Sequence, residues 1–110
     1  MVKDIQAWMK CGETSIPSIY TAVPSKTFKK SWKKYSRSGI PGLSRLQDVV
    51  ASLVNSIKLD DKYKDHSLQG NMSGLRECHI LPDLLLIYSI DEDFKEINLV
   101  DFGTHSQLFG

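Results

Sequence analysis

Three spacings of apolar residues follow one another along the chain. Between Pro17 and Pro24 the stretch SIYTAV alternates and is rich in β-forming residues, which predicts a first strand over residues 18–23. From Ser25, a residue type suited to capping a helix, SKTFKKSWKKYSRSG places Phe28, Trp32 and Tyr35 at i, i+4 and i+7. Lys29, Lys30, Lys33 and Lys34 then turn outward, the pattern of an amphipathic helix whose aromatic face is core and whose lysine face is solvated. SRSGIPG breaks that pattern. PGLSRLQDVVASLVNSIK resumes it with Leu43, Leu46, Val50, Leu53 and Ile57, Pro41 being tolerated in the first turn, so a second helix is expected antiparallel to the first. Residues 59–74, LDDKYKDHSLQGNMSG, are polar and long for a connection, the class in which functional loops concentrate. The period then falls to two. LRECHIL, LLLIYSI and KEINLVDF, separated by Pro82-Asp83 and by Asp91 to Asp93, predict an antiparallel meander.

The expected fold class is therefore α+β, ordered βααβββ. A small antiparallel sheet packs on a two-helix hairpin that buries LLLIY, and its other face stays partly open. Residues 1–17 lack sustained periodicity and are read as an N-terminal extension to a single domain over residues 18–110.

Composition adds little to the fold but narrows the setting. A chain of 110 residues, 41% hydrophobic and 25% charged, supports one ordinary core. Cys11 and Cys78 have no CxxC spacing and follow no secretory signal, so both are read as free thiols in a reducing compartment. The longest aliphatic run, Leu84 to Ile87, is too short to span a bilayer, and no apolar h-region opens the chain; a cytoplasmic protein with no membrane partner is expected. The net charge of +1 conceals an asymmetry. Residues 1–64 carry 12 Lys/Arg against 5 Asp/Glu, and residues 65–110 carry 2 against 8, giving halves of +7 and −6.

The candidate chemistry lies in the acidic half. All three histidines are there: His66 in DHSLQG, His79 in RECHILPD and His105 in GTHSQLFG. Alternation in LRECHIL sends Glu77 and His79 to one face and Cys78 to the other. Two imidazoles and a carboxylate in one cleft suit phosphodiester cleavage through a 2′-hydroxyl, in which one group removes the hydroxyl proton and another protonates the departing 5′-oxygen. Histidine serves both roles because it titrates near neutrality. A metal site drawn from His66, Cys78, His79 and His105 lacks ligand-pair spacing such as HxxxH or CxxC, so neither metal nor cofactor is expected. The DFG of Asp101 to Gly103 echoes a kinase motif without the glycine-rich and catalytic loops that would give it meaning.

Three blocks, YKDHSLQG, RECHILPDLLLIY and GTHSQLF, together resemble the YafQ family of bacterial toxins in the RelE/ParE superfamily, in order and over about residues 18–110. The resemblance implies a ribosome-dependent endoribonuclease that cuts mRNA. It further implies inhibition by a small antitoxin, here expected to be of the ribbon-helix-helix DNA-binding type, with operator DNA bound only through the antitoxin complex. Carried onto this sequence, the family's functional positions are His66, His79, Asp83 and His105; His66 is read as base and His105 as acid, or the reverse, with Asp83 and His79 positioning the nucleotide or sharing proton transfer. Phe109 falls at the family's terminal aromatic, and Arg76, Lys62 and Lys64 are candidate substrate-binding cations.

Two positions depart from the family pattern. Leu84 stands where an aromatic often follows the aspartate, and Asp101 stands where relatives commonly carry an arginine. These departures motivate an alternative in which the chain acts by binding alone, through its antitoxin and their operon. A ParE-like protein target is a further alternative, but that branch has no need of the histidine set.

Overall fold

The computed structural model describes residues 19–38 and 42–109; the N-terminal extension and Pro41 lie outside them. The elements are β1 (Thr21–Pro24), α1 (Lys26–Ser38), α2 (Leu43–Val54), β2 (His66–Ser67), β3 (Arg76–Leu81), β4 (Leu84–Asp91), β5 (Glu96–Gly103) and α3 (His105–Phe109). They form one five-stranded sheet in the order β1-β5-β4-β3-β2. The meander β3–β4–β5 is antiparallel, and β2 joins its edge antiparallel, His66 facing Glu77. β1 runs parallel to β5, as it can because two helices separate it from the meander; a parallel pair cannot be joined by a tight turn.

The expected α+β class and the βααβββ succession hold, but the sheet, expected to be antiparallel, is mixed because β1 pairs in parallel with β5, and there are two additions. The polar loop contributes the two-residue strand β2, and the terminal segment is a helix, α3, rather than an irregular tail. The first strand is also displaced toward Pro24, and α2 stops at Val54. Asn55 caps its last turn and Ser56 takes a φ of 56°, so Ile57, expected on the apolar face, is 58% exposed.

α1 starts as its sequence dictates. Ser25 Oγ accepts the Phe28 N–H at 3.0 Å and donates to the Val100 carbonyl at 2.6 Å, so one hydroxyl both caps the helix and ties it to β5. Phe28, Trp32 and Tyr35 are buried and surround Phe102, with ring centroids 5.1, 6.5 and 5.2 Å from its own. Burying a side chain of the Phe28 class is worth about 1.5–3 kcal/mol. Leu46, Val49, Val50 and Leu53 of α2 complete the helical side of the core.

β4 is apolar on both faces. Leu84, Leu86 and Tyr88 enter the core against the helices, while Leu85 and Ile87, outside that cluster, are only 1% and 2% exposed. The centre of the far face is therefore buried too, while its β2–β3 edge carries exposed His66, and a strand buried on both sides reads as an unbroken apolar run. In β5 a bulge intervenes, since Ile87 pairs with Asp101 but Tyr88 with Leu99. The extra residue rephases the strand, so Leu99 and Phe102 both reach the core and Asp101 does not.

Candidate active site

On the far face of the sheet, strand pairing brings β2 and β3 together such that His66 and His79 both approach Glu77. His66 Nε2 lies 3.6 Å and His79 Nε2 3.4 Å from the same carboxylate oxygen, Oε1, and the two rings are 6.5 Å apart. Glu77 is buried, 6% exposed, whereas His79 is half-buried and His66 open to solvent. Burying a carboxylate is costly unless positive or hydrogen-bonding groups face it; a protonated Nε2 of His79 and, once His66 has taken up a second proton, its imidazolium are the groups that do so here. His66 Nδ1 sits 2.7 Å from the Lys64 carbonyl. A carbonyl only accepts, so Nδ1 carries the proton and Nε2 presents a lone pair toward the cluster.

His105 lies across the strand from this cluster. The register His79–Leu85–Gly103 spans three adjacent strands, so Gly103 stands two strand spacings, about 10 Å, from His79. Thr104 caps α3 by accepting the Gln107 N–H on its hydroxyl at 3.3 Å, and His105 begins the helix. Its backbone N–H donates to Asp83 Oδ1 at 3.4 Å. Its ring meets that of Phe109 one turn later in a tilted contact, centroids 5.0 Å apart. Gln107 Oε1 accepts the Thr104 N–H at 2.8 Å and also the Tyr35 hydroxyl, fastening α3 to α1. A Cβ on Gly103 would meet Gln107 Oε1 at 2.8 Å, so a larger residue there would displace the Gln107 side chain from its place against Tyr35.

The candidate cations divide. Arg76, on the helix side of β3, is fully engaged: Nη2 donates to Asp65 at 2.8 Å, Nη1 to Ser67 at 2.8 Å and Nε to the Tyr88 hydroxyl at 3.3 Å. The Tyr88 hydroxyl donates to Asp65 at 2.6 Å. The Asp65 hydrogen bond, then that of Tyr88, holds the guanidinium even above its ordinary value, and burial followed by the Asp65 bond raises the Tyr88 phenol. Arg76 thus points away from Glu77 and His79. Lys62 and Lys64 do reach the histidine side, lining one cavity with His79, and Arg45 of α2 joins them.

Cys78 faces the helices, away from the imidazoles, and its thiol is pushed up to about 12, chiefly by burial. Asp101 is partnered as well, its Oδ1 accepting from the Ser31 hydroxyl at 2.6 Å and from the Phe102 N–H at 2.8 Å.

Glu77 is the principal residue not singled out from sequence, although alternation in LRECHIL already placed it beside His79. Arg45 had no such signal, since only the packed fold sets the first turn of α2 beside the loop before β2.

Fold and cluster together define a class: a small α+β protein that gathers imidazoles around a buried carboxylate at a sheet face. Within that class the chain belongs to the YafQ family of bacterial toxins of type II toxin–antitoxin systems, whose family model matches residues 20–110. It is 34% identical over 92 residues to the mRNA interferase toxin YafQ of Escherichia coli K12, covering 83% of this chain and 92% of that protein. A metal-bound toxin from Helicobacter pylori superposes with a TM-score of 0.76 at 42% identity, over 82% of this chain and 99% of that one. YafQ in the E. coli DinJ–YafQ complex superposes with a TM-score of 0.73 at 32% identity, over 83% and 99%. Among the described residues here, no three or more His, Cys, Asp or Glu side chains are arranged to hold a metal ion.

Proposed function

We propose that this chain is the toxin of a type II toxin–antitoxin pair and that it cleaves messenger RNA on the ribosome by attack of a 2′-hydroxyl on the adjoining phosphate. The observation that carries this reading is the convergence of two imidazoles on Glu77, at 3.6 and 3.4 Å, with a third imidazole, His105, on the other side of β4. His66 acts as base. Its Nε2 lone pair takes the 2′-hydroxyl proton, and the imidazolium that forms is stabilised by Glu77. The 2′-oxygen bonds to phosphorus as the bond to the 5′-oxygen breaks, and His105 donates the proton that the leaving oxygen requires. The products are a 2′,3′-cyclic phosphate and a 5′-hydroxyl.

His79, held by the same carboxylate, positions the phosphate and stabilises its added charge. Asp83 holds the first N–H of α3 and so sets the approach of His105; Phe109 packs against His105 and borders the substrate path. The printed name of the E. coli relative, an mRNA interferase, supports the substrate class, and the DinJ–YafQ complex supports a small antitoxin as partner. An antitoxin of ribbon-helix-helix type would bring the complex to operator DNA.

The test uses purified ribosomes programmed with a defined mRNA, the full chain, and mapping of the cut ends. Cleavage leaving a cyclic phosphate, and its loss when a 2′-deoxynucleotide occupies the cut position, are expected. Cleavage that survives the deoxy substitution would exclude 2′-hydroxyl attack, and no cleavage by the wild type would leave binding as the chain's role.

A further inference from the structure

Beside β3, past the two residues that β2 covers, lies a cavity of about 350 Å3. His79, Leu81 and Pro82 form one side, Lys62, Tyr63 and Lys64 another, and Arg45 reaches in from the first turn of α2. No carboxylate lines it, and no ion pair among the described residues engages Arg45, Lys62 or Lys64. The start of α2 packs on the same wall: a Cβ on Gly42 would come within 2.8 Å of the Leu81 side chain. That helix end has no side-chain cap, so its positive dipole end adds to the three side-chain charges. Three cations and a helix N-terminus around one concavity favour an anion. The remaining lining is not charged but flat and apolar, with the Tyr63 ring held under Lys62 at 5.3 Å. Its volume is at the small end of ligand pockets, about 300–1,000 Å3.

We infer that this cavity is the subsite for the nucleotide next to the one that is cut. Arg45, Lys62 and Lys64 take its phosphate, and Tyr63 takes the face of its base. The inference rests on the nuclease reading for its register, because His79 belongs both to the cavity and to the Glu77 cluster and so places the two within one nucleotide of each other. Arg45 suits the phosphate because its planar fork bonds two oxygens at once, while the lysines act as point charges from the loop.

The experiment measures binding apart from cleavage. A short single-stranded RNA carrying a 2′-deoxynucleotide at the cut position, and therefore not cleavable, is titrated with the full chain by fluorescence anisotropy at several salt concentrations. Arg45→Gln is expected to weaken binding and to lower the slope of log K against log salt by about 0.7, the value for one phosphate contact on a single strand. Tyr63→Leu is expected to weaken binding by roughly tenfold or more at unchanged slope, as loss of one stacked base does. Lys64→Gln, on an exposed loop residue, serves if Arg45→Gln fails to fold, and a thermal melt checks each variant. No measurable binding by the wild type, or a wild-type slope in both charge variants, overturns the subsite. The ribosome assay run beside it separates the two readings. Wild-type cleavage with variant-insensitive binding removes the subsite alone. Variant-sensitive binding without wild-type cleavage removes the nuclease and with it the register next to a cut, and leaves the cavity as a nucleotide-binding site only.

Discussion

At the scale of single residues, charge in the site is organised by two carboxylates, Glu77 buried and Asp65 half-buried. Glu77 faces both imidazoles, and Asp65 faces Arg76 and Tyr88, on opposite sides of the same strand. If Glu77 orients His66 and steadies its protonated form, Glu77→Gln should lower the single-turnover cleavage rate about ten- to a hundredfold, less than the roughly 10²–10⁴ attached to an acid or base itself. An unchanged rate in a folded variant would remove Glu77 from the mechanism. Asp65→Ala instead strands a guanidinium and a buried phenol, so urea denaturation should show a loss of about 1–3 kcal/mol; unaltered stability would contradict that network. The two departures from the family pattern also have a local explanation. Leu84 is 3% exposed and belongs to the core, so it presents nothing for a base to stack on. Asp101 gives its carboxylate to Ser31 and the Phe102 N–H, which makes it part of the α1–β5 joint rather than a bare charge. Alternation already put Glu77 beside His79 in the sequence, but the engagement of Arg76 was hidden, because Asp65 and Tyr88 meet it only after β2 docks.

At the scale of elements, what could be read in the sequence depended on length. α1, α2 and β5 each run long enough for their period to show and β4 shows as an unbroken apolar run, and Ser25, Phe28, Trp32 and Tyr35 could be assigned their places in advance. β2 has two residues and α3 five, too few for any period, and a helix that short is not stable by itself. Tertiary bonds hold α3: the Thr104 cap, the Asp83 carboxylate on the His105 N–H, and the Tyr35 hydroxyl on Gln107. Tyr35→Phe should therefore cost the fold only about 0.5–1.5 kcal/mol while reducing cleavage at saturating substrate, since His105 loses its fixed position; wild-type turnover would show that the bond does not position it. Deleting residues 105–110 should abolish cleavage and keep the sheet and helices, as checked by circular dichroism and thermal melting. Loss of folding would make α3 a structural element instead.

At the scale of the whole molecule, a dry core and a charged rim respond to different variables. The Cys78 thiol, ordinarily at 9.0, is pushed up to about 12, chiefly by burial. The folded state then keeps this proton while the unfolded chain releases it, so the unfolded state binds fewer protons and stability falls as pH rises from about 9 to about 12. The raised Tyr88 phenol acts in the same direction above its ordinary 10.0. Cys78→Ala should make that alkaline decline shallower by up to roughly 1.4 kcal/mol per pH unit, as read from urea midpoints across the range; an equal slope would mean the thiol is not protected. The basic half of the sequence holds α1 and the Arg45–Lys64 cavity, and the acidic half holds Glu77 on β3, Asp83 in the turn before β4 and Asp101 on β5. The proposed mechanism, though, depends on where the fold sets three imidazoles from separate blocks around one sheet. The most direct test is cleavage of a defined mRNA on purified ribosomes by wild type, His66→Ala and His105→Ala, each verified as folded. The expected result is cleavage by the wild type and a loss of about 10²- to 10⁴-fold in each variant; cleavage undiminished by either substitution would contradict the assignment of base and acid.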